Sequence, residues 1–87
     1  MKTKKLLSRL ADFLDADRRA QIENKRCIKE ILNKLKKKER ALKDKLEDED
    51  DPAKRAEIDA KLRVIYAQRT KGVGILKELR GNAGGPA

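Results

Sequence analysis

Apolar residues recur every three or four positions along most of the chain, a spacing that places them on one face of an α-helix. The first apolar stripe runs from Leu6 to Leu14 and fills a sector of about 120° when residues are plotted at about 100° each. A longer stripe runs from Ile28 to Leu46, and a third runs from Ile58 to Leu79. The pattern predicts one helical domain, residues 1–80, with three helices at about 4–15, 17–49 and 52–80.

The boundary between the first two predicted helices carries no obvious stop signal, because no proline or glycine occurs between Thr3 and Asp50. The positions that would continue the apolar stripe are nevertheless polar, namely Asp17, Gln21 and Asn24. These residues favour a break, with Asp15 or Asp17 as the N-cap of the next helix. An unbroken helix remains the alternative, since the residues have high helix propensity.

The dipeptide Asp51-Pro52 predicts the start of the last helix, because an N-cap acid precedes a proline at the first helical position. A short connection makes the flanking helices antiparallel neighbours. We therefore expect an all-α fold, an antiparallel, coiled-coil-like helical hairpin preceded by a short amphipathic helix. A three-helix arrangement is the alternative. Folding the chain at this point pairs Leu35 with Ile65 and Tyr66, and Ile28 with Val73.

Glycines mark two places in the last predicted helix. Gly72 and Gly74 lie inside it, each at a cost of about 1 kcal/mol relative to alanine, so we expect a kink or a close backbone contact there. Gly81 is expected to end the helix. Residues 81–87, with further glycines and a proline, are expected to form a flexible tail.

The composition argues against catalysis and against a bound metal or cofactor. The chain has no histidine and one cysteine, which excludes a Cys/His zinc site, a disulfide within the chain and histidine acid–base chemistry. Cys27 has no partner in the sequence and is interpreted as an ordinary thiol. The acidic run at residues 47–51 lacks the spacing and the central glycine of a calcium loop. We therefore expect no enzyme, no cofactor and no small-molecule substrate.

The charge of the chain is strongly positive, with a formal value of +9. Between positions 25 and 45 there are ten basic and three acidic residues, and the acidic run follows directly. Basic residues on a helix can bind phosphates, although such charge runs are more often solvated surfaces. The candidate phosphate contacts are Lys25, Arg26, Lys29, Lys34, Lys36, Lys37, Lys38, Arg40, Lys43 and Lys45.

Thin helices with few large apolar residues leave seams that a second chain can cover, so we expect self-association into a homo-oligomer. The last predicted helix also has a ridge of alanines that would let a second helix approach closely. The alternative is that these alanines lie on a solvent-exposed helix surface. The candidate partner or self-association residues are Leu6, Leu10, Phe13, Leu14, Ala56, Ala60 and Ala67. Residues 2–14 could instead lie on an anionic membrane, but packing into the protein core is favoured.

The function expected from these features is protein–protein interaction or scaffolding by a small helical module. Sequence-nonspecific nucleic-acid binding through residues 25–45 is the alternative, and peripheral binding to an anionic membrane through residues 2–14 is a second one. The stretch from Leu6 to Leu14 is interrupted by polar residues, so it resembles neither a signal peptide nor a membrane span. A cytoplasmic location is therefore expected.

Overall fold

The computed structural model describes the backbone of residues 2–83 and the side chains of residues 2–80, and the described chain is entirely helical apart from short connections. Four helices follow one another: α1 (Thr3–Asp15), α2 (Arg18–Glu23), α3 (Lys25–Asp48) and α4 (Pro52–Ala83). The predicted all-α class is confirmed.

The helix is interrupted after α1, where Ala16 and Asp17 have extended backbone angles. The Asp17 carboxylate accepts a hydrogen bond from the Ala20 amide at 2.8 Å, so this residue is the N-cap of α2. Gln21 is buried and its Nε2 donates to the carbonyl oxygens of Phe13 and Leu14, at 3.1 and 3.3 Å. The polar residues in the apolar stripe therefore build a turn and satisfy the carbonyl end of α1.

Two predicted helix bounds are wrong. The helix predicted over residues 17–49 is divided at Asn24, whose backbone angles (φ −106°, ψ 17°) depart from those of a helix and whose side-chain amide donates to the Ala20 carbonyl at 2.8 Å. Gly81 does not end α4, which continues to Ala83, because glycine weakens a helix without preventing helical backbone angles. The rest of the predicted flexible tail, residues 84–87, lies outside the described residues.

The connection between α3 and α4 is held by reciprocal caps. Asp51 accepts a hydrogen bond from the Ala53 amide at 3.0 Å. Arg55 donates from Nη1 to the carbonyl oxygens of Leu46 and Glu49, at 2.7 and 2.8 Å. A guanidinium thus occupies the carbonyl end of α3, which offsets the unfavourable effect of the acidic run on the helix dipole.

α3 and α4 run in opposite directions along each other. Arg55 contacts Leu46 near the connection, and further along the pair Arg69 contacts Glu39 at 2.8 Å. Gly72 lies against Leu32, so close that a Cβ atom on Gly72 would be 2.7 Å from the Leu32 Cδ2 atom. The close contact predicted near the glycines is therefore present, and α4 continues through it.

The predicted partners of Tyr66 and Val73 are wrong. Tyr66 is 65% exposed and Val73 is 37% exposed, so neither side chain fills the seam. Gly72 takes the seam position instead, because its missing side chain lets α4 approach α3. This phase of α4 turns Tyr66 and Val73 towards solvent.

α1 closes one side of the pair formed by α3 and α4. Leu6 and Leu10 are 1% and 0% exposed, in one core with residues of both long helices that include Ile28 and Ile65. Leu7 lines a depression with Val64 of α4. With 13 residues, α1 is about 20 Å long, whereas α3 and α4 span about 36 and 48 Å, so part of the pair extends beyond α1.

Candidate polyanion-binding face

The ten predicted phosphate contacts do not lie together on α3. At 100° per residue from the buried Ile28, seven of them fall in a sector between about 60° and 180°. We call these seven residues the basic face: Lys25, Arg26, Lys29, Lys36, Lys37, Arg40 and Lys43. The other three, Lys34, Lys38 and Lys45, lie about 80° to 120° from Ile28 in the other direction.

The basic face contains no acid between Lys25 and Lys43, but acids flank it: Glu23 lines a depression with Lys25, Arg26 and Lys29, and Asp44 and Glu47 lie in the same sector beyond Lys43. Within its sector the one other residue from Lys25 to Lys43 is Asn33. Six of the seven basic side chains are exposed, and Lys25 is half-buried. The 18 residue steps from end to end correspond to about 27 Å of helix.

The basic face points away from α1. On α4, α1 packs beside Val64 and Ile75, which lie about 80° to 100° to one side of the buried Ile65. Tyr66 and Val73 lie about 80° to 100° to the other side. Because α3 and α4 are antiparallel, this uncovered side of α4 continues onto the basic face of α3, and we call the two together the open side.

An ion-pair cluster centred on the buried Glu39 joins the two helices beneath the open side. Arg69 of α4 donates to Glu39 Oε1 at 2.8 Å, and Lys43 of the basic face lies 3.8 Å from the same oxygen. The Glu39 side chain is 10% exposed and the Arg69 side chain 22% exposed. Glu39 lies about 20° from Ile28, within the apolar sector of α3, and this charged residue in an apolar stripe is the signal that could have revealed the cluster.

The predicted self-association residues fall into two groups. Leu6 and Leu10 are in the core of the same chain, and Phe13 and Leu14 pack partly buried against that core, so the first two are unavailable to a partner in this conformation. The three alanines on α4 are exposed. One of them, Ala60, lines a depression of about 240 Å³ with Leu7 and Val64.

The sequence reasoning missed a shallow groove on α4. It has a volume of about 360 Å³ and lies on the open side. The lining residues are Tyr66, Arg69, Thr70, Val73, Gly74 and Lys77. Periodicity places Tyr66 and Val73 in the seam, but the packing at Gly72 sets a phase of α4 that exposes both.

The chemistry available on the open side is binding of anions by exposed ammonium and guanidinium groups. Among the described residues, no group of three cysteine or acidic side chains converges on a position for a metal ion. None of the described helices is both long enough and apolar enough to cross a bilayer. No protein-family model, curated protein or solved structure matches the chain.

Proposed function

We propose that this chain is a non-catalytic binding module that binds nucleic acid, without sequence preference, through the basic face of α3. The observation that carries the proposal is the row of seven cations with no acid in its sector between Lys25 and Lys43, about 27 Å long, on the side of α3 that α1 leaves uncovered. At 3.4 Å per base pair this length corresponds to about eight base pairs of a duplex.

The ion pairs of the described residues favour this function over a merely solvated surface. Of the seven cations, Lys43 is the one that contacts an acid in the described part of the chain, and the acid is the buried Glu39. Intrahelical pairing therefore does not account for the other six. Unpaired cations in a row can displace the condensed counterions of a phosphate backbone, and the release of those ions drives nonspecific binding.

The test compares two triple variants that remove the same number of charges from the same helix. The first is Lys29→Gln, Lys36→Gln and Arg40→Gln, within the basic face. The control is Lys34→Gln, Lys38→Gln and Lys45→Gln, outside it. Binding is followed by fluorescence anisotropy with a labelled duplex two to three times longer than the footprint, over salt concentrations from about 50 to 200 mM.

We expect the wild-type affinity to fall steeply with salt. The magnitude of the negative slope of log K against log salt should fall by about 2.7 in the first variant, which is about 0.9 for each phosphate contact removed. It should change little in the control. Circular dichroism checks that both variants keep their helices. Equal losses in the two variants, or no binding by the wild type at low salt, contradict the proposal.

A second candidate function is protein interaction through self-association. It is favoured by a groove between α3 and α4 close to the connection that joins them. Leu42 and Ile58 are half-buried there and line a groove of about 380 Å³ with five charged residues. α1 does not line this groove, so a helix of a second copy can lie there and extend a coiled-coil-like, antiparallel hairpin into a cytoplasmic scaffold.

Sedimentation equilibrium tests this second candidate with two variants. Ile58→Asp changes the groove, and Ala60→Asp changes the alanine ridge. We expect a dimer that Ile58→Asp converts to monomer and Ala60→Asp leaves intact. A wild-type monomer over a wide concentration range rules self-association out, and loss of the dimer in Ala60→Asp alone assigns it to the ridge.

A further inference from the structure

The uncovered side of α4 has the features of a binding surface. Tyr66, the one tyrosine of a chain that lacks tryptophan, is 65% exposed on it. Lys77 lines the same groove as Tyr66, and Arg80 is exposed about 60° from the buried Ile65 in the same direction. These residues and the basic face lie on the same side of the helix pair, because α3 and α4 are antiparallel.

We propose that α4 contributes Tyr66, Lys77 and Arg80 to a two-helix surface on the open side, and that its ligand is double-stranded nucleic acid. The proposal rests on the function proposed above and adds to it a second helix and a class of nucleic acid. The pattern of charges along α3 indicates neither a role for α4 in binding nor a preference for double-stranded nucleic acid.

The arrangement of charge favours a duplex over a single strand. Two antiparallel helices hold two rows of cations at a fixed separation, with axes about 8 to 10 Å apart. A duplex is a stiff ligand that carries a charge every 1.7 Å or so along its axis, and its two strands can meet both rows. Proteins that bind single strands add several aromatic side chains on which bases stack, whereas the described open side has Tyr66 alone.

Tyr66 lies on the same side of α4 as Lys77 and lines the same groove. The opposite directions of α3 and α4, with Glu39 against Arg69 and Leu32 against Gly72, bring Tyr66 close to the level of Arg40. In this position the phenol hydroxyl can donate a hydrogen bond to a phosphate oxygen that the neighbouring cations attract. A tyrosine in this role contributes positioning without reading the sequence of bases.

The single tyrosine provides a direct measurement. With no tryptophan in the chain, tyrosine fluorescence reports on Tyr66 alone. Titration with an unlabelled duplex, corrected for absorption by the nucleic acid with free tyrosine amide, should change the Tyr66 emission, and added salt should restore it. The same titration with a single strand of equal length should require a higher concentration to reach the same change.

A matched pair of double variants tests the cations of α4. Lys77→Gln with Arg80→Gln removes two charges from the open side. Lys61→Gln with Lys71→Gln removes two from the side of α4 where α1 packs. We expect the first variant to reduce the salt slope of duplex binding by about 1.8 and the second to leave it nearly unchanged.

The outcomes separate this inference from the proposed function. If the α3 triple variant loses binding but both α4 variants bind alike and the Tyr66 emission stays constant, α3 binds alone and the two-helix surface is wrong. If single strands bind as tightly as duplexes, the assignment to duplexes is wrong. If duplex binding is absent or insensitive to the α3 charges, the proposed function itself fails.

Discussion

Gly72 and Gly74, two residues apart on α4, have different surroundings. A Cβ atom on Gly72 would be 2.7 Å from the Leu32 Cδ2 atom, whereas a Cβ atom on Gly74 would have nothing within 4 Å beyond its own helix backbone and neighbours. Both glycines lose the same backbone conformational entropy when they fold into a helix. The close contact with α3 therefore accounts for one glycine, and nothing in the structure explains the other.

Alanine substitutions at the two glycines should have different effects on stability. Gly74→Ala is expected to stabilise the fold by about 0.5 to 1 kcal/mol, because alanine restricts the unfolded chain and clashes with nothing. Gly72→Ala forces the buried Leu32 side chain to move and should lose this gain or destabilise the fold. Urea unfolding followed by circular dichroism measures both, and equal gains at the two positions would contradict the close packing at Gly72.

Local signals in single residues were predictable to a large extent. Asp17 and Asp51 were expected as caps and act as caps, because a capping side chain acts within its own turn of the chain. The role of Gln21 was not predictable, since its partners are the carbonyl oxygens of Phe13 and Leu14 on the preceding helix. A contact between elements depends on the angle at which they meet, and periodicity does not contain that angle.

The ion-pair cluster around Glu39 joins α3 and α4, and the coupling between Glu39 and Arg69 can be measured. Glu39 Oε2 and Arg69 Nε are buried without a hydrogen-bond partner among the described residues, so the cluster is incompletely satisfied. Such pairs contribute little net stability, but removal of one partner leaves a charge unpaired. The cluster therefore favours the observed alignment of α3 and α4 over displaced ones.

A double-mutant cycle tests this role. Glu39→Leu and Arg69→Leu are each expected to destabilise the fold, by less than about 3 kcal/mol because the Arg69 side chain retains 22% exposure. The double variant should recover most of that loss, since it buries no unpaired charge. Urea unfolding gives the three free energies of unfolding. Additive losses in the double variant would show that the two side chains do not act as a pair.

The alignment of α3 and α4 is the element-level feature that the sequence predicted least well. The helix start at Pro52 and the apolar stripes predict that the two helices meet, but stripes of repeating leucine and isoleucine fit several alignments that differ by one helical turn. The observed alignment places Gly72 against Leu32 and forms the bond between Glu39 and Arg69. Both are contacts between distant parts of the chain.

At the scale of the whole molecule, α1 determines which surface is free for a partner. It buries Leu6 and Leu10 against the long helices, and the opposite side keeps the basic face. The ten cations were predicted from the sequence as one set. The position of α1 distinguishes the seven from the other three, because the seven lie on the side of the helix pair that α1 leaves uncovered.

The burial of α1 also predicts how substitutions in its apolar stripe change the free energy of unfolding. Leu10→Ala should destabilise the fold by roughly 2 to 5 kcal/mol, because Leu10 is fully buried. The matched control Ile22→Ala, at a residue that is 53% exposed, should change the free energy of unfolding by less than about 0.5 kcal/mol. Thermal unfolding measures both. Equal, small effects combined with co-sedimentation on anionic vesicles would instead indicate that α1 leaves the core to bind membranes.

Binding of a duplex on the open side can be mapped residue by residue in a titration. Uniformly ¹⁵N-labelled protein is titrated with a short duplex at low salt, and amide chemical shifts are followed. We predict changes along the basic face of α3 and at Tyr66 and Lys77 on α4, with little change in α1. Changes centred on α1 or on the acidic residues 47–51, or no changes at all, would contradict the account.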